Sequence, residues 1–281
     1  MNVLFVFCEG PHDAQFIGRL MQESKQYKSY DEKLKDYIQP LGPFFSRKFL
    51  SKSVDELRIG KPHFPLVPIC AYETQDKKTL IFPISIGGMD KFTQAIDLIK
   101  EIENSFSTDV LETSGSAIKD FSILFIYDAD SRGVDDTVRL FEERFKSHYD
   151  RISGLTNSTW MKQRNHTLSV FVFTDTLGET GVLEDLLLEL FRNTNEILVR
   201  ETEKHFSTYF PQPAANADEI AHNAKRKKGV LASCGQMETG NAGAALTVVV
   251  RDTNLLNGAF NFSDASTQWS RLLKHIDQAF I

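Results

Sequence analysis

Four short apolar runs, each followed by a helical pattern, restrict the fold of this chain more than any other feature. The runs are Val3–Phe7, TLIFPIS, DFSILFIY and LSVFVFTD. They are continuously apolar, as is typical of strands that are buried on both faces of a sheet. Strands that alternate with helices indicate a mainly parallel sheet flanked by helices. We therefore predict an α/β fold.

The first helix is predicted from about Asp13 to Gln22, because its apolar residues fall on one face: Phe16, Ile17, Leu20 and Met21. Further helices are predicted after the Gly87-Gly88 turn, from about Val134, and within GVLEDLLLELF. The segment STQWSRLLKHIDQAF predicts a last helix near the end of the chain.

Two segments stand apart from this strand and helix pattern. Residues 23–78 form an insertion after the first helix, and we expect it to be irregular because PLGPFFSRKFL and GKPHFPLVP contain enough proline to resist a long helix. Residues 211–281 are predicted to be a helical extension that carries the basic cluster AKRKKG. The whole of residues 1–281 is expected to form a single domain.

Composition limits the class of protein. The chain has 281 residues and a net charge of −6, which argues against indiscriminate binding of polyanions but leaves room for a local basic groove. It has no run of 18 apolar residues and its first strand follows Met1 directly, so we expect neither a membrane span nor a signal peptide. Its three cysteines lack the spacing of a metal site. We therefore predict a cytoplasmic protein with reduced thiols that does not bind membranes.

Acidic residues follow three of the four predicted strands. Glu9 and Asp13 follow the first strand, Asp128 and Asp130 the third, and the fourth precedes Glu179, Glu184 and Asp185. Ligands of open α/β sheets bind beyond the carboxyl ends of the strands, which is where these acids are expected. If the third turn stays extended, its two aspartates point the same way. Carboxylates this close repel one another unless a cation neutralises them, and all-oxygen ligand sets suit Mg²⁺ or Mn²⁺.

Each feature taken alone also fits a simpler structural role. Asp128 or Asp130 could cap a helix or form a turn, Asp13 could serve only the helix dipole, and Glu184 or Asp185 could be first-turn acids. The Gly-Gly pair could be only a tight turn, and Lys225–Lys228 only a solvated surface. His12 lies beside the acids and is expected to be a bystander. Acids at three strand exits together, rather than any one of them, therefore indicate a site.

The acidic motifs resemble those of Toprim domains. FVFCEGPHDAQFI is similar to the first Toprim motif, a hydrophobic strand followed by Glu-Gly and an acid at the helix start, and ILFIYDADSRG resembles the Asp-x-Asp motif. PISIGGMDKFTQAIDLIK resembles the second strand and Gly-Gly turn of OLD-type (overcoming lysogenization defect) nucleases. FTDTLGETGVLEDLLLEL is similar to a stretch of small stand-alone Toprim-like bacterial proteins. The resemblance covers most of the chain and implies a Toprim, Rossmann-like sheet with an insertion after the first helix.

The resemblance also implies roles for individual residues. Glu9 resembles the Toprim glutamate, a metal ligand in nucleases and a general acid/base in topoisomerases. The implied metal ligands are Glu9, Asp13, Asp128, Asp130, Glu184 and Asp185. Lys225 or Lys228 would match the lysine that stabilises charge near the scissile phosphate. Phosphate contacts are expected from the insertion and the basic tract: Arg47, Lys48, Lys52, Arg58, Lys61, Arg226 and Lys227.

We expect, on this basis, a nuclease that uses Mg²⁺ or Mn²⁺, two ions in all, to hydrolyse phosphodiester bonds of DNA or RNA. OLD-type nucleases of this pattern include several that act in phage defence, and the ATPase that precedes their Toprim domain would here be a separate protein or absent. One alternative is a non-catalytic Toprim-like module that binds a metal or a nucleotide as a partner or sensor. A third is a flavodoxin-like phosphatase or receiver-like fold, in which Glu9-Gly10 has no role.

Overall fold

The structure is a computed structural model, and it describes residues 1–49, 66–88, 91–113, 115–149, 151–175, 178–211 and 219–280. Within these ranges the chain forms one seven-stranded sheet in the order β2-β3-β4-β1-β5-β7-β6. The strands are β1 (Asn2–Cys8), β2 (Tyr27–Ser29), β3 (Tyr72–Thr74), β4 (Thr79–Ser85), β5 (Asp120–Asp128), β6 (Met161–Lys162) and β7 (Thr167–Phe173). The four central strands, β4, β1, β5 and β7, are parallel, whereas the outer strands pair antiparallel.

Helices cover both faces of this sheet. They are α1 (Pro11–Ser24), α2 (Leu41–Phe49), α3 (Phe92–Ser105), α4 (Thr108–Thr113), α5 (Val134–Phe145), α6 (Leu183–Tyr209), α7 (Glu219–Thr239), α8 (Leu246–Asp252) and α9 (Gln268–Asp277). Apolar residues of α1 and α6 to α9 share one hydrophobic core with the sheet, and those of α2 to α5 share the other. The predicted α/β fold with a mainly parallel, Rossmann-like sheet is thus confirmed.

The alternation of side chains along β1 explains why this strand is apolar throughout. Val3, Phe5 and Phe7 pack into the core on the side of α2 to α5. Leu4, Val6 and Cys8 pack into the core on the side of α1. Successive side chains of a strand point to opposite faces, and here both faces are covered, so every position is buried.

The insertion is more regular than its proline content predicts. β2 pairs antiparallel with β3, which pairs with β4, so the insertion extends the sheet by two short strands. Pro43 is the third residue of α2. Proline is tolerated there because the N–H groups of the first helical turn have no partner within the helix. The expectation of an irregular segment was therefore wrong for these elements, while Lys52, Arg58 and Lys61 lie outside the described residues.

The C-terminal segment is part of the core. Trp269, Leu272 and Ile276 of α9 are buried against the sheet, and Val249 of α8 packs in the same core. Helices α7 to α9, which lie within the predicted extension 211–281, thus cover one face of the sheet. None of the helices in the described ranges is long and apolar enough to cross a membrane.

Candidate functional site

The carboxyl ends of β1, β5 and β7 lie side by side, as the register of the parallel strands shows. Cys8 is paired with Ile126, and Asp128 with Phe173. The acids that follow these strands therefore meet at one edge of the sheet. We call Glu9, Asp13, Asp128 and Glu184 the acid cluster, because the charges of Asp13, Glu184 and Glu9 all raise the pKa of Asp128.

Asp13 holds the start of α1. Its Oδ2 accepts a hydrogen bond from the backbone N–H of Gly10, so the side chain caps the helix. The side chain is almost fully buried, and within the described part of the chain its Oδ1 accepts no hydrogen bond. Burial raises the pKa of Asp13 above its ordinary value. Asp13 thus caps the helix, beyond the dipole role considered for it, and its Oδ1, which lies 3.4 Å from His12 Nε2, remains for a ligand.

Asp128 ends β5 and contacts the next helix of the site. Its Oδ1 accepts a hydrogen bond of 2.9 Å from the backbone N–H of Leu183, the first residue of α6. Burial, followed by the charges of Asp13 and Glu184, raises the pKa of Asp128 well above its ordinary value. The free carboxylate is thus unfavourable at this position unless a cation binds near it.

Asp130 does not lie in an extended turn. Its φ is +49°, in the left-handed region, and its backbone forms a two-way bridge with Gly181. Its Oδ2 lies 3.3 Å from Arg132 Nη2, and the side chain is partly exposed. The extended geometry that would align the two aspartates is therefore not found. The charge of Asp130 still contributes to the pKa values of Glu9 and Asp128, so its carboxylate lies at the rim of the acid cluster.

Glu184 is the most buried acid of the cluster, with 1% of its side chain exposed. Two cationic groups face its Oε1: His12 Nε2 at 3.1 Å and Lys228 Nζ at 3.4 Å. Burial opposes the charge, but His12 and Lys228 outweigh it and lower the pKa of Glu184. Burial likewise opposes the protonation of His12, and Glu184 and Asp13 together raise its pKa. His12, expected to be a bystander, is therefore part of the site.

Glu9 stands at the exit of β1, between the turns after β4 and β5. Its carbonyl accepts a hydrogen bond of 2.7 Å from the N–H of Gly88. Gly88 has a φ of +111°, which favours glycine, so the Gly-Gly turn places a backbone donor against β1. Burial, then the charges of Asp13 and Asp130, raise the pKa of Glu9 to about 7. This carboxyl group therefore changes its charge near neutral pH.

The basic residues of α7 divide into two groups. Lys228 reaches the acid cluster, as predicted. Lys227 pairs instead with Asp185, whose Oδ2 accepts a hydrogen bond from the N–H of Val182 and so caps α6. Arg226 donates to Ser207, and Lys225 is exposed to solvent. The structure thus brings Lys228 to the acids but gives Asp185 a capping role and leaves Lys225 at the surface.

Two basic residues of the insertion that the structure describes, Arg47 and Lys48, are distant from the acids. Arg47 is exposed on α2, and Lys48 Nζ lies 2.5 Å from Glu101 Oε2. Helix α3 leads from the carboxyl end of β4 back to the start of β5, so Glu101, near the end of α3, lies toward the amino edge of the sheet. The structure does not place Arg47 and Lys48 beside the acid cluster.

The donors of the acid cluster fit a hard divalent cation in type. They are carboxylate oxygens, and within the described residues two buried ones, Asp13 Oδ1 and Glu184 Oε1, have ion-pair contacts with His12 or Lys228 that a cation could replace. The raised pKa values of Glu9 and Asp128 show that negative charge is in excess. Across the ranges that the structure describes, no three His, Cys, Asp or Glu side chains already form a metal cage. The donor set is thus suitable, but a cation would have to draw the side chains together.

Comparisons with known proteins add one similar structure. No protein-family model matches the chain, and no curated protein is significantly similar to it. A crystal structure of the hypothetical protein PH0156 from Pyrococcus horikoshii OT3 is similar to 99% of this chain and 95% of its own, with 11% sequence identity and a TM-score of 0.48.

Proposed function

We propose that this chain is a divalent-metal-dependent nuclease that hydrolyses phosphodiester bonds of nucleic acids, of the Toprim type that its motifs resemble. The observation that carries the proposal is the meeting of Glu9, Asp13, Asp128 and Glu184 at one edge of a parallel sheet, with Lys228 beside them. Phosphoryl transfer needs positive charge close to the reacting phosphate and carboxylates that hold it there.

Glu9, Asp13, Asp128 and Glu184 would hold Mg²⁺ or Mn²⁺, and Asp130 would stand at the rim. When bound, such ions supply an activated water and stabilise the leaving oxygen. Asp13 and Asp128 are already oriented by the hydrogen bonds that they accept from Gly10 and Leu183. Side chains fixed by helix starts lose little further freedom on binding a ligand, which favours a defined site.

Glu9 and Lys228 have chemical properties that suit the same reaction. A pKa of about 7 lets the Glu9 carboxyl group give or take a proton near neutral pH. Glu184 and Asp13 raise the pKa of Lys228 despite its partial burial, so its ammonium group stays charged. An ammonium group at this position would stabilise the charge that develops on a phosphate.

A second candidate function is a non-catalytic module that binds a metal or a nucleotide. It is favoured by the contacts of Glu184, whose charge is already balanced by His12 and Lys228 without any ligand. A site that balances its own charge can serve as a sensor, in which the bound cation displaces Lys228 and His12. A separate ATPase, expected from the resemblance to OLD-type nucleases, would be the partner of either form.

The test is cleavage of plasmid DNA, single-stranded DNA and RNA by the purified protein with Mg²⁺ or Mn²⁺. The variant is Asp128→Asn/Asp130→Asn, and the matched control is Asp135→Asn/Asp136→Asn, which removes two exposed charges from α5. Cleavage that requires the metal, is lost in the variant and persists in the control supports the nuclease. Metal binding that is lost in the variant, with no cleavage by the parent protein, supports the sensor instead.

A further inference from the structure

A cavity of about 620 Å³ lies at the opposite, amino edge of the sheet. Its walls come from the end of α3, the segment that follows α5, and the hairpin between β6 and β7. β7 separates this cavity from the acid cluster by roughly 20 Å, at about 3.3 Å per residue. The volume is within the range of small-molecule sites in proteins. The cavity is therefore large enough for a ligand and is separate from the acid cluster.

The floor of this cavity contains buried polar groups that make no hydrogen bond within the described residues. Tyr149 and His166 are 4% and 3% exposed. Within the described residues, Tyr149 Oη and both ring nitrogens of His166 make no hydrogen bond. Burial lowers the pKa of His166 to about 4, so near neutral pH its ring offers one donor and one acceptor. Buried groups of this kind are normally satisfied, and here they face a space that a ligand could fill.

The rings of the floor are held by packing. His166 stacks on Phe121 with ring centroids 5.0 Å apart, and the ring of Tyr149 lies 5.6 Å from that of His166. A second histidine, His148, also lines the cavity, and Glu103 lies near both rings. Its Oε2 is 3.1 Å from His148 Nε2, and its Oε1 is 3.7 Å from His166 Nδ1. The polar groups are thus oriented before any ligand binds, and they include donors and acceptors.

The rim of the cavity is positively charged. Arg151, Lys162 and Arg164 line it and are exposed, and among the lining residues that the structure describes the one carboxylate is that of Glu103. Guanidinium and ammonium groups are the side chains that bind phosphate most often, because they combine charge with several donors. The rim therefore suits a phosphate group, and the floor suits an uncharged polar group with donors and acceptors of its own.

We propose that this cavity binds a nucleoside monophosphate, with its phosphate at Arg151, Lys162 and Arg164 and its base at Tyr149 and His166. A base edge presents donors and acceptors together, as the floor requires. The site does not depend on the acid cluster or on the nuclease proposal.

The test is isothermal titration of the full-length protein with AMP, GMP, CMP, UMP and inorganic phosphate. We expect at least one nucleotide to bind more tightly than phosphate. Arg151→Ala/Lys162→Ala should weaken that binding by about tenfold or more. Arg271→Ala/Lys274→Ala also removes one arginine and one lysine, but from the exposed face of α9, and it should leave nucleotide affinity unchanged. Asp128→Asn should also leave it unchanged, which separates this site from the acid cluster.

Tyr149→Phe tests the floor without disturbing the fold. The Tyr149 hydroxyl makes no hydrogen bond in the described structure, so its removal should not lower the melting temperature, while nucleotide affinity should fall several-fold.

The proposal is overturned if no nucleotide binds, or if phosphate alone binds as tightly. It is equally overturned if the rim variant binds like the control, or if Tyr149→Phe binds nucleotide as the parent does. Zn²⁺ binding that requires His148 and His166, without nucleotide binding, would identify a metal site instead.

Discussion

Asp128 Oδ1 accepts a hydrogen bond of 2.9 Å from the backbone N–H of Leu183, which lies 55 positions later in the chain. The bond satisfies an N–H group of the first turn of α6, which has no partner within the helix. It also fixes the position of the next residue, Glu184, relative to the exit of β5. The end of one strand and the start of another strand's helix are thus joined at the centre of the acid cluster.

The contact between the end of β5 and the start of α6 should require glycine at position 181. Its φ is +122°, and a Cβ atom there would lie 2.4 Å from the backbone N of Asp175. We expect Gly181→Ala to lower the free energy of unfolding by about 2–4 kcal/mol, because both strain and a clash with the backbone result. Chemical denaturation measures this. Gly178→Ala is the matched control, since Gly178 also has a positive φ but open space around its Cβ position, and it should cost only about 1 kcal/mol. Equal losses would contradict the clash.

Substitutions of Lys228 and of Lys225 should have different effects on the rate of cleavage. Lys228→Met removes the ammonium group 3.4 Å from Glu184, whereas Lys225→Met changes an exposed residue one turn away on α7. We expect Lys228→Met to lower kcat about a hundredfold, as is common for loss of one group that stabilises transition-state charge. Because Lys228 competes with a cation for Glu184, affinity for Mn²⁺ should not fall. Single-turnover cleavage and a metal titration measure the two effects, and a similar kcat for both variants would count against the role of Lys228.

The raised pKa of Glu9 should make the stability of the metal-free protein depend on pH. Its pKa is about 7 in the folded protein against 4.5 ordinarily, so the folded state holds the proton more tightly. This contribution is fully present below pH 4.5 and is lost as the pH rises through 7, with a magnitude on the order of 3 kcal/mol. Denaturation in the presence of EDTA at pH 5 and pH 8 measures it.

Glu9→Gln supplies the control for this dependence, because glutamine does not titrate. The raised pKa values of Asp13, Asp128 and His12 act in the same direction, whereas the lowered pKa values of His166 and His275 act in the opposite one, so the difference between parent and variant isolates the contribution of Glu9. If parent and variant lose stability equally between pH 5 and pH 8, the raised pKa of Glu9 is wrong.

The central fold and the acids of the site were predictable from local patterns. Continuous apolar runs identify strands that are buried on both faces, and the ends of parallel strands meet at one edge. Glu9, Asp128 and Glu184 could be placed together on this basis without knowledge of their side-chain contacts. Only the start of the long helix α6 was predicted. The backbone of Asn195 breaks its helical geometry, and no proline or glycine in the sequence marks that position.

The remaining features depend on contacts between distant parts of the chain. His12 joins the site only because Glu184, 172 positions later, packs 3.1 Å from its ring. The left-handed backbone of Asp130 follows from its bridge with Gly181. The strand β3 has three residues and is stabilised by pairing with β2 and β4, so its own sequence carries little signal. Lys48 was predicted to contact nucleic acid but pairs with Glu101, which no local pattern indicates.

Binding of Mn²⁺ to the metal-free protein tests the acid cluster most directly. Isothermal titration should compare the parent with Asp128→Asn, in which the amide oxygen can still accept the hydrogen bond from Leu183, and with Asp136→Asn, an exposed control on α5. The account predicts that the parent and Asp136→Asn bind Mn²⁺ alike and that Asp128→Asn binds at least about tenfold more weakly. A parent protein that does not bind Mn²⁺, or an Asp128→Asn variant that binds it as tightly as the parent, would contradict the assignment of these acids as a metal site.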